Sequence, residues 1–213
     1  MKIGVMGVIA LLAPSTAIAQ SDTAYSTQLP PLIDEAREIA LARSAAPDAV
    51  SAEATVLVLR RGGYAVAVEG TNGVTCYVSR SRPESLEPHC FDQEGSETIL
   101  AMQLRRAELR EQAKSREDIE QTLARELADG TFRLPSRPAM SYMMSGGQVL
   151  YNEEGQHVGK WRPHLMIYVP FITSEQLGLY GAPSTEAAIV VDSGKPTANI
   201  MVVVESFVEP TTR

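Results

Sequence analysis

Thiols, imidazoles and indoles are scarce in this chain, which has two cysteines, three histidines and one tryptophan among 213 residues. The cysteines, Cys76 and Cys90, are too far apart for a redox CxxC pair or a zinc knuckle. HExxH, GxSxG and the Walker phosphate loop are all missing, which removes the usual signatures of zinc proteases, serine hydrolases and nucleotide-dependent enzymes. Basic clusters are missing too, and the net charge is −7. An acidic chain without a basic patch makes a poor partner for nucleic acid or an anionic membrane surface. No residue pattern specifies a reaction, and none calls for a cofactor.

What the chain does have begins at its first residue. Lys2 precedes an apolar run from Ile3 to Leu12 and the small-residue sequence Ala17-Ile18-Ala19. This order predicts a secretory signal peptide over residues 1–19, cleaved before Gln20; the apolar run is too short to span a bilayer. No cysteine follows the cleavage point to carry a lipid, so no stable membrane anchor is expected after cleavage. The remaining residues, 20–213, are sized for one domain with a flexible segment over 20–30. Loss of Lys2 takes the 19 basic residues to 18 against 26 acidic ones, a charge of −8. The expected location is the periplasm or the cell exterior, where two cysteines pair. A Cys76–Cys90 disulfide closes a short loop and contributes about 3 kcal/mol in the chain-entropy model.

The stretch from Ser51 to Cys90 is the centre of the chain. Ala54–Leu59 is a continuous aliphatic run suited to a strand covered on both faces. Gly62 and Gly63 break it and predict a tight reversal into a second strand over Tyr64–Glu69. Asn72-Gly73 predicts another hairpin into a third run, in which Val74, Cys76 and Val78 share the core-facing side.

On either side of this centre the periodicity changes. Leu32, Ala36, Ile39, Ala40 and Arg43 recur at helical spacing, so a helix is expected over residues 32–45, opened by Pro30-Pro31 and stopped by Pro47. Ile99 to Leu109 supply the apolar side of a second helix. Ser115 followed by Asp118 caps a third, which ends at Gly130. From Ala139 the chain turns β-rich, with strands expected at 140–145, 149–151, 164–169, 187–191 and 200–204, and a capped turn at Thr173 or Ser174. Consecutive hairpins with inserted helices predict an α+β fold: a mostly antiparallel sheet, helices covering one face, one disulfide.

Candidate chemistry is thin. His157 and His164 flank a loop near Glu153 and Glu154, types that bind zinc, although no standard ligand spacing is present. Met140, Met143, Met144 and Met166, with His164 close to the last, are soft donors of the kind that select Cu(I), although methionines in strands also serve as gap-filling core residues. Adjacent acids such as Glu153 and Glu154 point to opposite sides of an extended chain, which is wrong for a glycosidase pair. The convergence of His89, His157 and His164 on one pocket is the structural question the sequence poses.

The blocks GTNGVTCYV (residues 70–78), PHCFD (88–92), EGSETIL (94–100), RRAELR (105–110), SYMMS (141–145) and PHLMIYVPF (163–171) together resemble a family of exported bacterial proteins without an assigned activity. The resemblance implies an envelope protein and transfers no catalytic residue. The expected role is binding of a small molecule or an envelope protein partner by a non-catalytic domain. The alternative is a zinc- or copper-dependent protein, possibly hydrolytic, that uses His157, His164 and Met166.

Overall fold

The computed structural model describes residues 30–179 and 188–211. The expected signal peptide, residues 20–29 and Ala187 of the penultimate strand lie outside the described residues.

Eight strands form one sheet: β1 (Thr55–Arg60), β2 (Gly63–Val68), β3 (Thr75–Ser79), β4 (Glu87–Phe91), β5 (Ala139–Met143), β8 (His164–Tyr168), β9 (Ile189–Val191) and β10 (Asn199–Val203). They lie in the order β2-β1-β3-β4-β5-β8-β10-β9, and every neighbouring pair is antiparallel except β1 and β3. A separate ribbon pairs β6 (Leu150–Tyr151) with β7 (His157–Gly159). The fold is α+β with a mostly antiparallel sheet and the Cys76–Cys90 disulfide, as the sequence predicts.

The Asn72-Gly73 hairpin does not form. The chain leaves β2 on one side of β1 and returns on the other, where β3 runs parallel to β1 with Thr55 opposite Thr75 and Val56 opposite Cys76. Gly70 makes this crossing possible. A Cβ there would lie 2.1 Å from the Thr55 nitrogen and 2.4 Å from the Ala54 carbonyl carbon, so only a residue without a side chain can pass the start of β1. Asn72 serves the crossing rather than a hairpin: its Oδ1 accepts from Val74 N at 3.0 Å and its Nδ2 donates to Val50 O at 2.8 Å. The reversal at Gly62 and Gly63 does pair β1 with β2, and both glycines have positive φ, 91° and 110°.

Helices lie on both faces of the sheet, where the sequence argument placed them on one. α1 (Glu35–Arg43) starts three residues later than expected, because Asp34 caps it by accepting from Arg37 N at 2.9 Å. Its Leu41 and Ala42, with the following Ala45 and Ala46, pack on Val56, Val58, Cys76, Val78 and Cys90. A short α2 (Asp48–Ser51) leads into β1. The opposite face is covered by a helical run made of α3 (Gln93–Gly95), a π-helical turn at Ser96–Leu100 and α4 (Ala101–Glu111). Ile99, Leu100 and Met102 from this run pack on Tyr77, Phe91, Met143 and Met166. α5 (Arg116–Ala128) is capped by Ser115, as its sequence predicts, and packs back through Ile119 and Leu123 onto Leu109. Among the described residues, no helix is long and apolar enough to cross a membrane.

Two buried carboxylates tie these layers together. Glu38 of α1 accepts from Arg80 Nη2 at 3.1 Å and from Leu59 N at 3.3 Å, joining α1 to the sheet. Glu94 accepts from Arg133 Nη1 and Ser136 N, both at 2.7 Å, and so pins the connector into β5 against the helical run.

Two substitutions test this architecture by urea unfolding. Gly70→Ala is expected to cost at least about 1–3 kcal/mol, because the obstructing atoms are backbone and cannot rotate away; wild-type stability would refute the crossing. Replacing both Cys76 and Cys90 with alanine is expected to cost about 3 kcal/mol.

Candidate functional site

Strand alternation and register build one wall of a cleft. In the β3–β4 ladder Cys76 is opposite Cys90 and Tyr77 opposite His89. Neighbouring residues on a strand point to opposite faces. Because Cys76, Val78 and Cys90 face α1, Tyr77, His89 and Phe91 face the other way. Across β5 and β8, Met143 is opposite His164 and Ser141 opposite Met166; β10 then places Met201 opposite Met166 and Asn199 opposite Tyr168. The far side of the cleft comes from Ile99, Met102 and Gln103 of the helical run and from Leu123 and Leu127 of α5. The cleft is open on one side and has a volume of about 1000 Å³, at the upper end of the range for small-molecule sites.

The imidazoles and phenols of the floor are uncharged at neutral pH. Burial, reinforced by the neighbouring His164, pushes the His89 imidazole down to about 3, and burial lowers His164 as well. Burial likewise raises the phenols of Tyr64 and Tyr77, and it raises that of Tyr168 to about 12. The Tyr77 hydroxyl donates to Gln103 Oε1, and the Tyr64 hydroxyl donates to Val78 O at 2.6 Å. Tyr64, Tyr77, His89, Phe91 and Tyr168 form a chain of ring contacts with centroids 5.3–6.3 Å apart.

Several polar atoms along this wall are buried without a hydrogen-bond partner, among them His89 Nδ1, Asn199 Oδ1, Ser141 Oγ and Arg80 Nε. An orphaned buried acceptor or donor costs about 1–3 kcal/mol, so its placement beside a cleft calls for an explanation. At His164 the Nδ1 lies 2.6 Å from Arg162 O. A carbonyl can only accept, so Nδ1 carries the proton and Nε2 keeps its lone pair. Of the arginines lining the cleft, the buried Arg80 pairs with Glu38, Arg82 with Glu153 and Arg106 with Glu120, while Arg110 donates to Arg80 O.

The structure brings some of the predicted residues together and separates others. His164 and Met166 share the cleft floor with Met143. His157 lies exposed on the β6–β7 ribbon, its ring 5.7 Å from that of Tyr151, and Glu153 is engaged with Arg82. Among the described residues, no three His, Cys, Asp or Glu side chains come together to hold a metal ion. Among the described residues, His164 Nδ1 is held by the Arg162 carbonyl and His89 Nδ1 has no hydrogen-bond partner.

His89 was the residue hardest to place from sequence, because Pro88 hides its strand. A proline in a run normally argues against a central strand. Here the β5 ladder covers only Cys90 and Phe91, which leaves Pro88 beside a flank where no ladder bond is lost. The alternation of His89 and Phe91 around Cys90 was the available signal. No protein-family model, curated protein or solved structure matches the chain.

The buried imidazoles set a pH dependence. The unfolded chain binds protons on His89 near its ordinary value of 6.5, whereas the folded chain does so only near 3. Between these values the unfolded state holds more protons, so stability falls as pH falls, by about 1.4 kcal/mol per pH unit for each such imidazole. Urea unfolding from pH 7 to pH 4 is expected to show this loss, with a shallower slope in His89→Gln. An unchanged slope in that variant would contradict a buried neutral His89.

Proposed function

We propose that this chain is an extracytoplasmic, non-catalytic binding domain whose small-molecule ligand occupies the cleft between the sheet and the α4–α5 pair. The observation that carries this reading is the orphaned pair His89 Nδ1 and Asn199 Oδ1 on the wall of a cleft of about 1000 Å³. A ligand supplying a hydrogen bond to each would remove both penalties, while the thioethers of Met143, Met166 and Met201 take its apolar part. Concavity favours a small molecule over a protein partner, which needs a broad surface. Export is supported by the signal-like pattern over residues 1–19 and by the disulfide, which persists in oxidising compartments.

A thermal-shift screen of small polar-apolar molecules and envelope extracts tests the reading. A genuine ligand at one hundred times its Kd adds about 2.7 kcal/mol to the stability of the folded state. The expected result is a raised Tm that is abolished in His89→Gln and in Met201→Trp, each compared with its own unliganded melt. Met201 is half-buried, so the larger ring narrows the cleft with little disturbance of the core. Failure of every compound to shift the wild type, or equal shifts in both variants, would refute the cleft as the site.

A further inference from the structure

The sheet sorts the methionines. Met140 and Met144 alternate with Met143 along and just beyond β5, and so fall on the side opposite the cleft, together with Tyr142, which packs in the α1 core. Met143 and Met166 stay on the cleft side, both nearly buried. Met143 stands directly opposite His164 in the β5–β8 ladder. On its other flank the β4–β5 ladder ends at Cys90 opposite Tyr142, and His89 is the next residue of β4, on the cleft side. Met143 and His164 are therefore a direct cross-strand pair, and His89 lies on the same face of the sheet, close enough to His164 for the two imidazoles to influence each other electrostatically. Met166 follows His164 by two residues on the same face of β8.

We propose that His89, Met143, His164 and Met166 form a binding site for a cuprous ion on the cleft floor. The donor set is two imidazole nitrogens and two thioether sulfurs. Soft thioethers favour Cu(I), whereas zinc and the harder divalent ions favour sets of thiolates, carboxylates and imidazoles, and among the described residues no three such side chains gather to hold an ion. His164 is arranged as a metal ligand would be: its Nδ1–H is held by the Arg162 carbonyl, which orients the ring and leaves Nε2 as the donor. His89 contributes an unpartnered buried nitrogen that a protein donor does not satisfy. Both rings are buried, with 6% and 3% of their surface exposed, so a bound ion is shielded from water on the sheet side. Glu87, two residues before His89 on the same face of β4, is the nearby carboxylate, and its Oε1 already accepts from Ser81 N at 3.0 Å; the aromatic rings of Tyr77 and Phe91 close one side.

This inference rests on the cleft being the binding site and names an inorganic occupant for it. The test is an anaerobic titration of the intact, disulfide-bonded chain with Cu(I), using bicinchoninate as the competing chromophoric chelator and Zn(II) as the comparison ion. One Cu(I) per chain is expected to be withdrawn from the chelator. Met143→Leu with Met166→Leu, a volume-conserving change that keeps the core packed, is expected to weaken binding at least about 100-fold, the scale of a lost metal ligand or its support. X-ray absorption at the copper edge should then show sulfur scatterers in the wild type and none in the double variant. No withdrawal of copper, undiminished affinity in the leucine variant, or zinc bound as tightly as copper would each overturn the proposal. If copper fails while an organic compound raises the Tm in a His89-dependent way, the cleft reading stands and only the copper inference falls.

Discussion

The cross-strand link between Cys76 and Cys90 fixes the register on which the candidate site depends. Side chains alternate with a period of two along a strand, so a slip of one residue between β3 and β4 would carry the whole set to the wrong face. With both sulfurs and Val78 committed to the α1 core, Tyr77, His89 and Phe91 have no choice but the cleft side. The ladder then transmits that choice outward: Phe91 sets Ser141, Ser141 sets Met166, and Met166 sets Met201.

Burial does the chemical work at the site. The cleft wall carries imidazoles and phenols, groups that commonly serve as acids, bases or charged anchors, yet desolvation holds each in its neutral form. Formal charge around the cleft is compensated locally: arginines meet carboxylates, and Glu87 accepts from Ser81 N. Such a surface offers lone pairs, thioethers and ring faces to an occupant, with no strong field. The π-helical turn at Ser96–Leu100 sets where Ile99 and Met102 close over this wall, in keeping with the tendency of π-helical turns to occur at functional sites.

Much of the scaffold was legible in the residues. The unbroken aliphatic run of β1, the glycine pair before β2, the Ser115 cap and the thiol pairing all carry local signals strong enough to survive folding. The Asn72-Gly73 signal misled because turn chemistry is local while pairing is not. The outer edge of β1 was already taken by β2, and Gly70 gave the chain a passage to the opposite edge. The second layer of helices was missed because β3 reads as alternating, whereas its supposedly open face, including Tyr77, is buried. Of the candidate site, His164, Met143 and Met166 were visible in the sequence as potential donors to Cu(I). That Met143 stands opposite His164, and that His89 faces the same side, follows from long-range strand pairing, which one sequence does not display.

The most direct measurement of this account is a nuclear Overhauser spectrum of the oxidised protein, read at the His89 ring. The register described here predicts cross-peaks from that ring to the rings of Tyr77 and Phe91, at centroid separations of 5.7 Å each, and none to the Leu41 and Ala42 methyls beneath α1. Cross-peaks from His89 to those methyls would place the imidazole in the opposite core and contradict both the register and the cleft built on it.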